Sequence, residues 1–171
     1  MGFQSSSLGF TRYNIVEKVS DQILIQVQEK LAEDGFKDID NLPDERGFGW
    51  VDFEDMLDSE FLRTPYKGEY LAFALRLDTR RVSPAVYKKY VLMRLKQERE
   101  ELEAQGQGKR ISRDRIKEIR EAIKTELMRK SLPIPAVFDV VWNLREHKVY
   151  LGTTNAKMRD LFEEMFHHTF E

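Results

Sequence analysis

Several residue groupings in this chain have spacings that chemistry could use. Asp139 precedes Glu146-His147-Lys148, and a strand carboxylate with a nearby acid-x-Lys is how one nuclease class holds a divalent cation and polarises water. Glu163/His167 and Glu164/His168 each lie four apart, which would set either pair on one side of a helix as two metal ligands. Asp34 to Glu60 contains ten acidic residues with only Lys37 and Arg46 against them. Each of these has a plainer reading. Glu146 to Lys148 fall where a hairpin turn is expected, and turns attract charge. Two ligands leave a metal site incomplete. The acidic segment lacks the spacing of a calcium loop and reads as a solvated face, or as a wall that directs a polyanion elsewhere. Gly106-Gln107-Gly108-Lys109 is too compact for a phosphate-binding loop and follows no strand. The sequence therefore assigns no catalytic residue, metal or cofactor.

The stronger signal is basic. Residues 83–131 carry 14 Lys/Arg against 8 Asp/Glu, whereas the rest of the 171-residue chain carries 14 against 22, so a formal charge of −2 conceals a separation of sign. Such segregation speaks of partners, and nucleic acid is the commonest partner of a basic surface. At about 100° per residue, Arg113, Lys117, Arg120 and Lys124 form one stripe and Ile116, Ile119, Ile123 and Leu127 another about 90° away. Asp114, Glu118 and Glu121 lie on the far side of the basic stripe. Pairs such as Lys117–Glu121 could make this an ordinary solvated face. The neighbourhood favours phosphate contact instead: Lys88, Lys89, Lys96 and Arg99 precede it, Lys109 and Arg110 occupy the hinge, and Arg129 and Lys130 close it. Arg80 and Arg81, just ahead of the first helix, complete the expected DNA-binding set.

These residues need elements to position them. Leu8 to Val16 alternates as a first strand, and Asp21 opens a helix stopped by Gly35, with Leu24, Val27, Gln28 and Leu31 near one face. Gly47 to Phe53 reads as a short strand and Tyr70 to Leu77 as a central one. Ser83-Pro84 starts a helix running to about Ala104, by hydroxyl cap and N1 proline. Gln105 to Gly108 breaks it, Ser112 caps the next helix, and Pro133 and Pro135 end that one near Ser131. Ala136 to Leu144 and Lys148 to Thr153 form a hairpin around Arg145 to His147, and Asn155 caps a last helix to about His168. The class is α+β with antiparallel sheet pieces and a long charged helix pair. The order is β-α-β-β-α-α-β-β-α, in which a helix–strand–strand–helix unit occurs twice. The domain divides into an acidic part (8–82), the basic pair (83–131), and a hairpin with its helix (132–170). Trp50 and Trp142 belong in the core. Phe138, at the corner after the two prolines, is the candidate interface anchor.

This length can bury a normal core as one domain without staples. The absence of Cys excludes disulfides and thiolate chemistry and suits a reducing cytoplasm. No window approaches a membrane span, and no secretory signal opens the chain. Met1-Gly2 with Ser6 matches the short myristoylation pattern, but no polybasic stretch supports it.

Phe10-Thr11-Arg12-Tyr13, Gly47-Phe48-Gly49-Trp50-Val51, Val82-Ser83-Pro84-Ala85-Val86 and the charged helix pair occur in a telling order with three later pieces. These are Leu132 to Phe138, Val140-Val141-Trp142-Asn143-Leu144, and Val149-Tyr150-Leu151 leading to Thr154-Asn155-Ala156-Lys157. Together they resemble the bacterial recombination-associated RdgC family, over about residues 8–170. The resemblance implies a nucleoid-associated homodimer that holds double-stranded DNA against a basic surface without reading sequence and restrains strand exchange by a RecA-type recombinase. Members continue well beyond this length, so the likeness covers their N-terminal half. Some members carry an exonuclease label, for which no active-site motif is present here. A protein–protein module, using the helix pair and the acidic segment, is the alternative, and a metal-dependent exonuclease the third reading.

Overall fold

A computed structural model describes residues 9–17, 19–42, 44–108 and 110–170. The described residues form two compact units: those up to 39, 46–78 and from 135 onward, and those of 40–45 with 79–134.

The first unit is built on a six-stranded sheet. Its strands are β1 (Thr11–Asn14), β2 (Arg46–Asp52), β3 (Tyr66–Lys67), β4 (Tyr70–Thr79), β5 (Ile134–Asn143) and β6 (Lys148–Leu151). They lie in the order β1-β6-β5-β4-β2, with β3 on β4. The β1/β6, β5/β6 and β3/β4 pairs are antiparallel. β4 is an interior strand between β5 and β2, one place from the edge and not at the centre of the order, where its apolar run predicts it. Leu71, Phe73 and Leu75 enter the main core on one side of it, while Ala74 meets Phe36 and Val51 in a smaller cluster on the other. With Leu71 to Leu75 all buried, β4 satisfies both faces.

Two short helices, α1 (Asp21–Ile25) and α2 (Val27–Glu33), replace the single helix expected from Asp21. Ser20 caps α1, its Oγ accepting from Ile23 N at 3.2 Å. The backbone breaks at Gln26 (φ −94°, ψ 3°), whose N–H is shared between the carbonyls of Gln22 and Ile23. The kink turns Val27 and Leu31 into the core and leaves Ile25 outside. β3, a two-residue strand, is the other addition to the expected order. The first strand is shorter than expected, and Leu8, its expected start, lies outside the described residues.

The C-terminal helix α5 (Ala156–Phe170) buries Met158, Phe162, Met165 and Thr169 at helical spacing. Asn155 caps it through Oδ1, 3.3 Å from Met158 N. Phe162 lies edge-on to Trp50 at 6.1 Å, and Phe166 and Phe170 pack on Trp142 at 5.2 and 5.3 Å. Trp50 Nε1 donates to Thr169 Oγ1 (2.8 Å), which donates to Asp34 Oδ2 (2.6 Å), joining β2, α5 and the end of α2. Gly49 is required at its position, because a Cβ there would collide with the Phe36 backbone, whose N–H donates to Trp50 O at 2.9 Å. Phe138 is half-buried and packs against this same core, so it is not the outward anchor expected from the prolines before it.

The second unit contains α3 (Pro84–Ala104) and α4 (Arg113–Lys130). Pro84 occupies the first turn of α3, but the Ser83 hydroxyl makes no cap bond. Ser112 does cap α4, accepting from Arg115 N at 3.2 Å. Gly106 and Gly108 take φ of 72° and 77°, which lets the chain reverse between the helices.

Candidate nucleic-acid interface

Val91, Leu95, Ile119 and Ile123 form the seam between α3 and α4, flanked by Tyr87, Ile111, Ile116 and Leu127. Tyr87 donates through its hydroxyl to Arg120 O, and Glu98 meets Arg115. Advancing along α3 thus means retreating along α4, and the pair is antiparallel. That direction decides which side chains share a surface.

One side of the seam is neutralised. Arg115 grips Glu98 with Nε on Oε1 (2.7 Å) and Nη2 on Oε2 (3.2 Å), and its Nη1 reaches Glu118 at 3.0 Å. Arg94 adds Nη2 to Glu98 (2.9 Å) and Nη1 to Glu101 (3.3 Å). Glu98 is 9% exposed. The hydrogen bond from Arg115 holds its carboxyl below the usual range, against the opposing effect of burial. The same bond raises the Arg115 pKa.

The other side is bare. At ~100° per residue, Arg113, Lys117, Arg120 and Lys124 stand about 90° from Ile119 and Ile123, on the flank of α4 away from Arg115. In an antiparallel pair, the flank of α3 sharing that side carries Lys88 and Arg99, with Leu92 between them and Lys96 at its edge. Among the described residues, all six cations other than Lys96 are exposed without an ion pair, whereas Lys96 makes a loose one to Glu100 at 3.9 Å. From Arg113 to Lys124 the ladder runs about 17 Å along the helix.

Not every expected residue joins it. Arg80 is corrected outright: it is 6% exposed and its guanidinium is spent on backbone. It donates to the carbonyls of Asp40 (2.8 Å), Leu42 (3.2 Å), Asp44 (3.2 Å) and Ser131, which leaves it unable to reach a phosphate. Lys89 lies over the Tyr90 ring at 5.5 Å, and Lys130 is paired with Glu126. Arg129 projects from the acidic side of α4. Arg81 and Arg110 are exposed in the connections ahead of α3 and α4. Lys109 lies outside the described residues. Sequence reasoning missed the Arg94–Glu98–Arg115 network, although Arg94 and Glu98 at i, i+4 were a signal for it. It also missed the Arg80 cradle, for which the sequence has no signal.

The arrangements that suggested catalysis do not assemble. Asn143 faces Lys148 and Val140 faces Leu151, so Asp139 sits four strand positions, about 14 Å, from the Glu146–Lys148 turn. Asn143 Oδ1 accepts from Glu146 N at 2.9 Å, and Lys148 pairs with Glu146 at 2.7 Å, as turn residues do. That Lys148 hydrogen bond lowers the Glu146 pKa. Among the described residues no three His, Asp or Glu side chains converge to hold a metal ion, and no helix is long and apolar enough to cross a membrane.

The helix pair thus carries one flank of exposed cations without ion pairs among the described residues and one flank whose cations are paired with acids. Comparison with protein-family models and with curated proteins returns no match to this chain.

Proposed function

We propose that this chain binds double-stranded DNA without reading sequence, through the α3/α4 flank carrying Lys88, Arg99, Arg113, Lys117, Arg120 and Lys124. The observation that carries the reading is the asymmetry of the pair. Acids satisfy the cations on one side and leave those on the other to an external anion. Exposed cations gain little from any single Coulomb contact in water, so affinity would come from release of counterions condensed on the duplex. The flank offers flexible Lys and Arg in a row and no aromatic platform, which fits phosphate contact better than base recognition. The sequence resemblance extends the reading to an RdgC-like fold, a homodimer and restraint of RecA-type strand exchange in the nucleoid. The test is fluorescence anisotropy with two labelled duplexes of unrelated sequence at 50 and 200 mM salt. Equal affinities that fall steeply with salt support the reading, and absence of binding at low salt refutes it.

A second reading has its own observation. Val86, Tyr90 and Met93 form an apolar strip on the outer side of α3, with Met93 56% exposed, which would suit a protein contact. Association of the protein with itself that persists in high salt while DNA binding is absent would favour an interaction module.

A further inference from the structure

α3 is apolar on two opposite faces, and the helix pair uses one of them. Val91 and Leu95 enter the seam with α4. At about 100° per residue, Val86, Met93 and Gln97 stand on the opposite face with Tyr90 beside them, all four exposed. The matching face of α4 carries Asp114, Glu121 and Thr125, as a face turned to water does. A helix packed on one neighbour needs one apolar stripe, so the second stripe on α3 calls for a second contact.

The charges on that outer face identify the partner. Lys89 lies in the N-terminal half of α3 and Glu100 in the C-terminal half, five residues before and six after Arg94 at the middle of the helix. An antiparallel copy of the same helix, centred on that middle, would put each Lys89 opposite the other chain's Glu100 and Met93 beside its own mate. A parallel copy would set like charges against each other. Lys96 would approach its mate at the edge of the strip, and its bond to Glu100 at 3.9 Å offsets that repulsion.

We propose that the outer face of α3 pairs with the same face of a second copy of this chain, antiparallel and centred near Arg94, with Val86, Tyr90 and Met93 as the apolar strip. The contact is isologous, each chain giving the same patch. It goes beyond the DNA reading and stands without it. The dyad relating two side-by-side antiparallel helices is perpendicular to their layer, so both bare flanks face one way and both neutralised flanks the other. Pairing therefore doubles the basic surface and leaves it open.

The experiment uses the whole chain without DNA. Sedimentation over a range of concentrations should show a monomer–dimer equilibrium. Lys89→Glu or Glu100→Lys alone should weaken it about 3–10-fold, since two exposed contacts are lost per dimer, and the two changes in one chain should restore it. The chain has no Cys, so single cysteines report position. Helices in contact lie about 8–10 Å apart, which brings facing Cα atoms within the roughly 7 Å that a disulfide spans. Met93→Cys, about 3 Å along the axis from its mate, should cross-link to itself. Val86→Cys and Ala104→Cys, about 24 and 30 Å from their own mates, should cross-link only when the two chains are mixed. A monomer at every concentration, cross-linking of Val86→Cys with itself, or a double reversal that stays weakened overturns the pairing. None of these outcomes touches the DNA reading, whose failure would show in the anisotropy titration instead.

Discussion

Replacing Arg113, Lys117, Arg120 and Lys124 together with Gln should change the salt dependence of DNA binding by a calculable amount. Gln has nearly the helix propensity of Lys and Arg, and none of the four is used in an ion pair, so α4 should stay folded. The ladder is about 17 Å long, alongside which a duplex presents about ten phosphate charges. Phosphate supply therefore does not limit four contacts. Each contact contributes about 0.9 to the slope of log affinity against log salt, so four contribute about 3.6. Over a fourfold rise from 50 to 200 mM salt, that slope weakens binding by roughly 150-fold, a loss the variant should escape from a weaker starting affinity. The assay is anisotropy titration at four salt concentrations, on two unrelated duplexes. Arg63 and Lys67, which share Glu54, provide the control, because their replacement by Gln removes cations already compensated. A slope equal to that of the unmodified protein, or one that flattens on only one duplex, would refute the assignment of this flank.

Arg80→Gln should lower stability by on the order of 2–4 kcal/mol, measured by urea unfolding, because it abandons several buried carbonyls, while the salt slope for DNA stays unchanged. Glu98 has its folded pKa depressed below 4.5, so its contribution is present above that pH and is lost as pH falls through the folded value. Glu98→Gln should remove this acid-dependent component of unfolding without adding one near neutrality. Phe138→Ala should lower the urea midpoint, as expected for a side chain packed on the core, and leave sedimentation unchanged. A dissociated assembly with unaltered stability would restore it as an anchor. Linear duplex should survive incubation in Mg²⁺ or Mn²⁺, since ligands of one such cation must each come within about 2.1 Å of it and Asp139 lies about 14 Å along the strand pair from the Glu146–Lys148 turn. Degradation that vanishes in Asp139→Ala would contradict this.

The sequence by itself determined what local physics decides. The apolar run at Tyr70 to Leu77 could only be satisfied between two packed faces, and it became an interior strand buried on both. Ser112 and Asn155 announced helix starts because their side chains bond backbone within three residues. The prolines at 133 and 135 and the glycines at 106 and 108 punctuate the helix pair through dihedral restriction and freedom. The basic stripe of α4 was legible because helical periodicity depends only on spacing. Tertiary structure decided the rest, because it depends on residues far apart in the chain. Arg80 looked like its neighbour Arg81 until carbonyls from 40–44 and Ser131 enclosed it. Phe138 was turned into the core by the company of β4 and α5. Which α3 cations joined those of α4, and which of its charges were neutralised, followed from the antiparallel seam and the Glu98–Arg115 contact, 17 residues apart. Charge composition placed the basic excess in residues 83–131, and packing decided which of those cations remain exposed and which are paired.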